Sequence, residues 1–182
     1  MDKDKKSPET EIQTEVLKIT LKSQYSATFA MLRQAIELCP DDLWLDESHT
    51  NRTWWIAYHA TYFTHMYAQV NDYTFKQLKN HPKPDQFSGT ITWPPRSKQD
   101  PKSPPTREDI LLYIDYCESN ISAWVDLIDL TAPKCGFWWY KGMDKLEHQF
   151  NNLHHIQHHI GQLADRVRNV CDEGGDWVGG IS

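Results

Sequence analysis

Hydrophobic residues recur at the spacing of an α-helix in four stretches of the chain, and the first runs from about Pro8 to Leu38. Ser7 resembles an N-cap that is followed by a proline at the first helical position. Cys39-Pro40 ends the pattern, because proline forces the preceding residue out of the helical region. We therefore predict a long amphipathic helix. Its predicted core positions are Ile12, Val16, Ile19, Phe29, Leu32 and Ile36.

The second stretch, from about Asn51 to Lys79, carries its hydrophobic residues on one side. At about 100° per residue they fall within a stripe roughly 80° wide. His59 lies near the middle of the stretch, whereas His65 falls about 120° from His59 around the helix. The pattern therefore predicts that His59 faces the interior and that His65 lies on the surface. The residues of the stripe are Trp55, Ile56, Phe63, Met66 and Val70.

The third and fourth stretches begin with recognisable capping signals. Thr106 is followed three residues later by Asp109, a spacing typical of a helix start. The fourth helix is predicted from about Asp144 to Cys171, with acidic residues in its first turn that complement the helix dipole. The apolar positions are Ile110, Tyr113, Ile114, Ile121, Trp124 and Ile128 in the third helix, and Leu146, Phe150, Leu153, Ile156, Ile160, Leu163 and Val167 in the fourth.

A proline-rich stretch from Asn80 to Pro105 separates the second and third predicted helices and contains most of the ten prolines of the chain. Such a density of proline excludes a regular helix there. A connection of this length is typical of a crossover that joins two parallel helices of a bundle. Since no stretch alternates as a strand does, the sequence predicts an all-α fold, a four-helix bundle with a long crossover between helices 2 and 3.

Composition narrows the class of protein. A chain of 182 residues with 39% hydrophobic and 24% charged residues is predicted to form a single domain, 1–182, with residues 1–7 disordered. The formal net charge of -6 argues against nucleic-acid binding, which needs a dense basic patch. No stretch is apolar enough for a signal peptide or a membrane span, so we expect a cytoplasmic protein. The four scattered cysteines predict reduced, mostly packed thiols.

Histidines are concentrated in the fourth predicted helix, which holds two overlapping H-x-x-x-H pairs. His154 pairs with His158, and His155 pairs with His159. Residues four apart share one helix face with Cβ atoms about 5–6 Å apart, so two imidazoles can bind one ion. The second pair lies beside the apolar stripe and the first pair lies farther from it. We therefore predict His155 and His159 as metal ligands, and we assign His148 at most to a pocket wall.

His59 is the predicted third ligand. An imidazole within an apolar stripe costs free energy unless its polar atoms are satisfied, and a metal ion can satisfy them. Three neutral histidines leave an open coordination position, as catalytic zinc-type sites do. The alternatives are a core histidine hydrogen-bonded to a carbonyl or tyrosine, and an H-x-x-x-H pair without a metal. No H-E-x-x-H sequence is present, which excludes the zinc-protease arrangement.

Three motifs occur together in this chain: W-x-x-x-H from Trp55 to His59, the opening of the third helix at Thr106, and H-I-Q-H-H-I-G-Q-L from His155. With them the chain resembles the DinB/YfiT-like superfamily of four-helix metal-binding proteins. The resemblance implies that His59, His155 and His159 bind nickel, zinc or a similar ion. It also implies an up-down-down-up topology and a homodimer.

The resemblance implies two kinds of activity on a small molecule, because similar proteins include metal-dependent hydrolases and transferases that use a low-molecular-weight thiol. The expected cofactor is a divalent ion, zinc or nickel first, with iron or manganese as alternatives. A non-catalytic metal-binding stress-response module is the second hypothesis, and a metal-free structural bundle is the third. The sequence identifies no catalytic acid or base.

Overall fold

The computed structural model describes residues 8–81 and 104–181, and within them the chain forms five helices and no strand. This confirms the all-α class for the described part of the chain. None of these helices is both long and apolar enough to cross a lipid bilayer. The helices are α1 (Pro8–Glu37), α2 (Asp41–Trp44), α3 (Thr53–Tyr67), α4 (Arg107–Leu127) and α5 (Lys145–Cys171).

Helices α4 and α5 begin where the sequence predicts, because a side chain caps each first turn. The hydroxyl of Thr106 accepts a hydrogen bond from the backbone N–H of Asp109, whose carboxylate accepts one from the N–H of Thr106. Asp144 accepts a hydrogen bond from the N–H of Glu147 at 2.8 Å. Such caps satisfy amide groups that have no partner within the helix. They fix the start of the helix that carries two candidate ligands.

Helix α3 is shorter than predicted and ends at Tyr67 rather than near Lys79. A turn follows at Asn71, whose side-chain oxygen accepts hydrogen bonds from the backbone N–H groups of Tyr73 and Thr74. Such local pairing of an asparagine with the backbone competes with continuation of a helix. The predicted extension of this helix to Lys79 is therefore wrong.

Four helices enclose the core, since α3 packs against α4 and α5, and α1 packs against the same two helices. Aromatic and branched aliphatic side chains fill the space between them, and each contributes about 1.5–3 kcal/mol when fully buried. The contact between α3 and α5 matters most for function, because both helices carry candidate ligands. Fully buried members of this core include Tyr25, Phe29, Leu32, Ile36, Ile56, Tyr58, Ile110, Tyr113 and Ile114.

The first turns of α1 are more exposed than predicted. Ile12, Val16 and Ile19 are 67%, 57% and 56% exposed, so their assignment to the core is wrong. At about 100° per residue these three side chains lie about 130° around α1 from the buried Phe29, Leu32 and Ile36, which explains their exposure.

Other predictions have mixed outcomes. The proline-rich connection falls mostly between residues 81 and 104 and so lies outside the described residues, as does the predicted disordered segment 1–7. All four cysteines are free thiols, as predicted. Phe150, predicted for the core, is 47% exposed, because it shares the outer face of α5 with the exposed His154 four residues later.

Candidate metal centre

Three histidine side chains, hereafter the trio, converge between α3 and α5. His59 lies near the middle of α3, and His155 and His159 lie one turn apart on α5. The Nε2 atom of His155 is 3.0 Å from Nε2 of His59 and 3.2 Å from Nε2 of His159. The possible ligand atoms of the three residues all lie within 4.8 Å of one another. The structure thus brings together the three residues selected from the sequence.

Two Nε2 separations within the trio, both of which involve His155, match those around a single divalent ion. Two nitrogens bound to zinc at about 2.0–2.1 Å, with a tetrahedral angle between the bonds, lie about 3.3 Å apart. The observed Nε2 separations of 3.0 and 3.2 Å are close to that value. Among the described residues, no other group of three or more histidine, cysteine or acidic side chains meets in this way. The donor set and these two separations therefore fit a metal ion.

The proton positions of the trio restrict how its nitrogens can be paired. The Oε1 atom of Gln162 lies 2.8 Å from Nδ1 of His159, so this nitrogen carries the proton and Nε2 of the same ring presents a lone pair. A proton on Nε2 of His155 would be divided between His59 and His159 in a three-centre hydrogen bond, whereas a lone pair there would face the lone pair of His159. A cation would instead accept one lone pair from each of the three rings.

Two other ring nitrogens of the trio are buried without a hydrogen-bond partner, namely Nδ1 of His59 and Nδ1 of His155. A neutral imidazole that binds a metal through Nε2 carries its proton on Nδ1. Among the described residues, only His159 has an acceptor for that proton, the side chain of Gln162. Such a contact fixes the orientation of a ligand ring and makes the ring a better donor to a metal.

Burial keeps the imidazoles of the trio neutral. Desolvation lowers the pKa of His59 well below 6.5 and lowers the pKa of His155 to about 3, and repulsion from neighbouring histidines adds to both effects. Burial also lowers the pKa of His159, although the hydrogen bond to Gln162 opposes this shift. Neutral imidazole is the form that binds metals, so all three side chains are in the metal-binding form at neutral pH.

Aromatic side chains surround the trio. The ring centroids of Trp55 and Phe63 lie 4.6 and 4.5 Å from that of His59. The rings of Phe63 and Tyr67 also approach the ring of His155, at 6.0 and 6.3 Å. A low local dielectric follows from such an apolar wall, and it strengthens the attraction between a cation and its ligands.

Three other histidines of α3 and α5 can be compared with their predicted positions. His154 and His158 are exposed, which agrees with the prediction that this pair lies farther from the core. His65, predicted for the surface, is only 2% exposed, so that prediction is wrong. Its Nδ1 atom lies 2.8 Å from the hydroxyl of Tyr113, and its ring stacks on that of Trp124. Helix α4 covers this side of α3, and a helical-wheel projection of α3 alone does not show that a neighbouring helix packs there.

The sequence did not reveal a buried polar layer, which lies on α5 before His155. The amide of Gln149 donates to the carbonyl of Tyr67, and the amide of Asn152 donates to the carbonyl of Thr64. The hydroxyl of Tyr25 in α1 donates to Gln149 and accepts from Asn152. The only signal in the sequence is that Asn152 shares the wheel angle of the ligand pair.

Two ionisable side chains at the start of α5 are also buried. His148 is fully buried, with its ring stacked on Phe137 at 4.8 Å and perpendicular to the ring of Tyr67. Burial and the charge of Lys145 lower the pKa of His148 to about 3. Lys145 itself donates to three backbone carbonyls. These residues hold the start of α5 in place and do not contact the trio.

Comparisons with known proteins identify no relative of the chain. No family model, curated protein or solved structure matches it. Membership of the DinB/YfiT-like superfamily therefore stays a prediction. What the chain binds and transforms has to be argued from its own residues.

Proposed function

We propose that this protein is a metal-dependent enzyme in which His59, His155 and His159 hold one divalent ion. The observation that carries the proposal is the convergence of the Nε2 atoms at 3.0 and 3.2 Å. The contact between Nδ1 of His159 and Gln162 adds support, because it directs Nε2 of this ring toward the other two members of the trio. A bound ion would act as a Lewis acid that lowers the pKa of a coordinated water or thiol, so that a nucleophile exists near neutral pH.

The proposed reaction is hydrolysis of a small molecule or transfer of a low-molecular-weight thiol, as the resemblance to the DinB/YfiT-like superfamily implies. Three protein ligands leave a coordination position for a reactant. The rings of Trp55, Phe63 and Tyr67 can hold the apolar part of a substrate and exclude water. The proposal extends to the other features of that superfamily, namely an up-down-down-up bundle and a homodimer, and to a cytoplasmic location.

Zinc or nickel is the proposed ion, with iron or manganese as alternatives. Imidazole nitrogen suits zinc, nickel and iron, whereas manganese prefers oxygen ligands. All three donors of the trio are imidazole nitrogens. The donor set therefore favours zinc or nickel over manganese, and the supply of metal in the cell decides between the first two.

A metal-binding module without turnover, such as a stress-response protein, is the second candidate. One observation favours it: within the described residues, no carboxylate pairs with the trio. The groups that shift the pKa values of its members are other histidines and Gln162. Catalysis commonly needs a side chain that accepts or donates a proton. In a third candidate, a purely structural bundle, the trio binds no metal.

Elemental analysis of protein purified without a metal-affinity column tests the metal. We expect wild-type protein to retain zinc or nickel, and His155→Ala to lose it because one of the three donors is gone. His49→Ala is the matched control, since His49 is an exposed histidine that lies beside Asp46. Equal metal content in wild type and His155→Ala would contradict the proposed site, provided that both have the same circular dichroism spectrum.

Measurement of turnover distinguishes the metal-dependent enzyme from the non-catalytic metal-binding module. Thiol transfer, amide hydrolysis and ester hydrolysis should be screened with metal-loaded wild type and with His155→Ala. We expect at least one of these reactions to depend on His155. A rate that His155→Ala leaves unchanged would count against catalysis at this centre, and metal binding without any rate enhancement would favour the module.

A further inference from the structure

A second histidine pair, hereafter the outer pair, lies on the outer face of α5. His154 and His158 are exposed and stand four residues apart on this helix. Their spacing places the Cβ atoms about 5–6 Å apart on one face. Two imidazoles in this arrangement can bind one transition-metal ion, with water completing the coordination. The trio uses neither residue.

The outer pair adjoins the trio through a direct ring contact. The ring centroids of His158 and His159 are 5.2 Å apart, with the planes inclined at 68°. His159 in turn lies 4.7 Å from His155 and 4.8 Å from His59, again between centroids. Imidazole rings therefore follow one another without a gap from the solvent to the trio.

The surface around the outer pair is open and carries acidic groups on either side. Gly161, three residues after His158, is exposed, and a Cβ atom added there would meet nothing within 4 Å. Glu147 and Asp165 are exposed and stand seven residues before His154 and seven after His158. Each therefore lies on the same face at about 10 Å along the helix axis. Carboxylates at this distance raise the local concentration of cations.

We propose that His154 and His158 form a second, solvent-exposed site for a divalent transition metal and that this site passes the ion to the trio. The second site is inferred from the spacing and exposure of the outer pair, whereas its role in loading metal rests on the proposed function of the trio. Imidazole donors select nickel, zinc and copper and disfavour magnesium and calcium, which prefer oxygen.

Stepwise exchange of ligands explains how the outer pair accelerates loading. A hydrated ion must lose water before it enters a site walled by Trp55 and Phe63, and removing a charge from water is costly. An ion already held by His158 can exchange one water at a time for the neighbouring His159. It also reacts at the high effective concentration of a tethered partner. Loss of the outer pair should slow uptake without weakening the trio.

Calorimetric titration of metal-free, untagged full-length protein with Ni²⁺ alone tests the outer site. Wild type should show a tight phase and a weaker phase. The double variant His154→Gln, His158→Gln should lose only the weaker phase, His155→Ala should lose only the tight phase, and the control His49→Gln should keep both. A weaker phase that survives the double substitution overturns the outer site. A wild type with the weaker phase alone would support the outer site while refuting the trio and the loading role.

Stopped-flow mixing of metal-free protein with Ni²⁺ tests the loading role. The trio should load with metal at least about tenfold more slowly in the double variant, because the ion can no longer pass to it from the outer pair. Its dissociation constant should match that of wild type, and His49→Gln should load at the wild-type rate. An unchanged loading rate in the double variant overturns the relay. Folding is not at risk, since exposed substitutions of this kind change stability by about 0.5 kcal/mol or less.

Discussion

Gln162→Ala should weaken metal binding at the trio while leaving α5 folded. The amide oxygen of Gln162 accepts a hydrogen bond from Nδ1 of His159 at 2.8 Å and turns the Nε2 atom of that ring toward His155. Loss of such a contact costs about 10–100-fold in metal affinity, which corresponds to about 1.4–2.7 kcal/mol. Gln162→Glu keeps an acceptor and makes it negative, so it should bind the metal at least as tightly as wild type.

A second readout distinguishes orientation of the ring from a general loss of structure. In the metal-free protein the hydrogen bond to Gln162 raises the pKa of His159 against the effect of burial. Gln162→Ala should therefore lower the pKa of His159 further, and Gln162→Glu should raise it. Titration of the His159 ring by nuclear magnetic resonance measures both shifts.

The affinity itself is measured by competition with a chromophoric zinc chelator. Gln157→Ala is the matched control, because Gln157 is the same residue type on the same helix and lies on a different face from the trio. The reasoning would be refuted if Gln162→Ala bound zinc as tightly as wild type. It would also be refuted if Gln157→Ala weakened binding to the same extent.

Two further predictions concern buried groups at the start of α5. The pKa of His148 is lowered from 6.5 to about 3, so between these values the unfolded chain takes up a proton that the folded chain does not, and stability falls as the pH falls. His148→Phe should reduce this loss by about 1.2 kcal/mol per unit between pH 6 and pH 5 in urea unfolding, and equal slopes would contradict it. Lys145→Met leaves three backbone carbonyls without their donor and should cost about 2–4 kcal/mol. The exposed control Lys141→Met should cost about 0.5 kcal/mol or less, and a similarly small cost for Lys145→Met would refute the role of its ammonium group.

Helix starts could be predicted from the sequence because their chemistry is local. Thr106 and Asp144 each cap an amide three residues ahead, and both helices begin at the next residue. Which faces of a helix are buried by its neighbours does not depend on local sequence in this way. His65 was misplaced because its burial depends on which side of α3 the neighbouring helix covers, and the helical wheel of one helix does not contain this information. Ile12 is a different case, because the helical wheel of α1 already places it about 130° from the buried stripe of Phe29, Leu32 and Ile36.

The sequence does hold one signal for the burial of His65. Helix α3 reads T-W-W-I-A-Y-H-A-T-Y-F-T-H-M-Y, and it contains no aspartate, glutamate, lysine or arginine. A helix without charged residues on any face is typically covered on all sides. Its buried residues do lie all round the helix, and His65 is one of them. Composition of the whole segment was therefore a better guide to His65 than its angle.

The identity of the trio could be predicted, but its geometry could not. His155 and His159 follow from helical spacing, and His59 follows from its apolar surroundings. The approach of His59 to His155 at 3.0 Å depends instead on how far α5 slides along α3. That register is set by contacts between residues far apart in the chain, which no local pattern encodes.

The buried polar layer supplies this register. Gln149 bonds the carbonyl of Tyr67 and Asn152 bonds that of Thr64, so the numbering falls along α3 as it rises along α5, and the two helices run antiparallel. Continued along both helices, this pairing brings His59 to the level of Gln157, midway between His155 and His159. A slip of one helical turn, about 5.4 Å, would separate the rings of His59 and His155 beyond the span of about 4 Å that two bonds to a shared ion can cover. Because a slipped α5 would break both of these buried hydrogen bonds, the polar layer penalises the registers in which the trio cannot form.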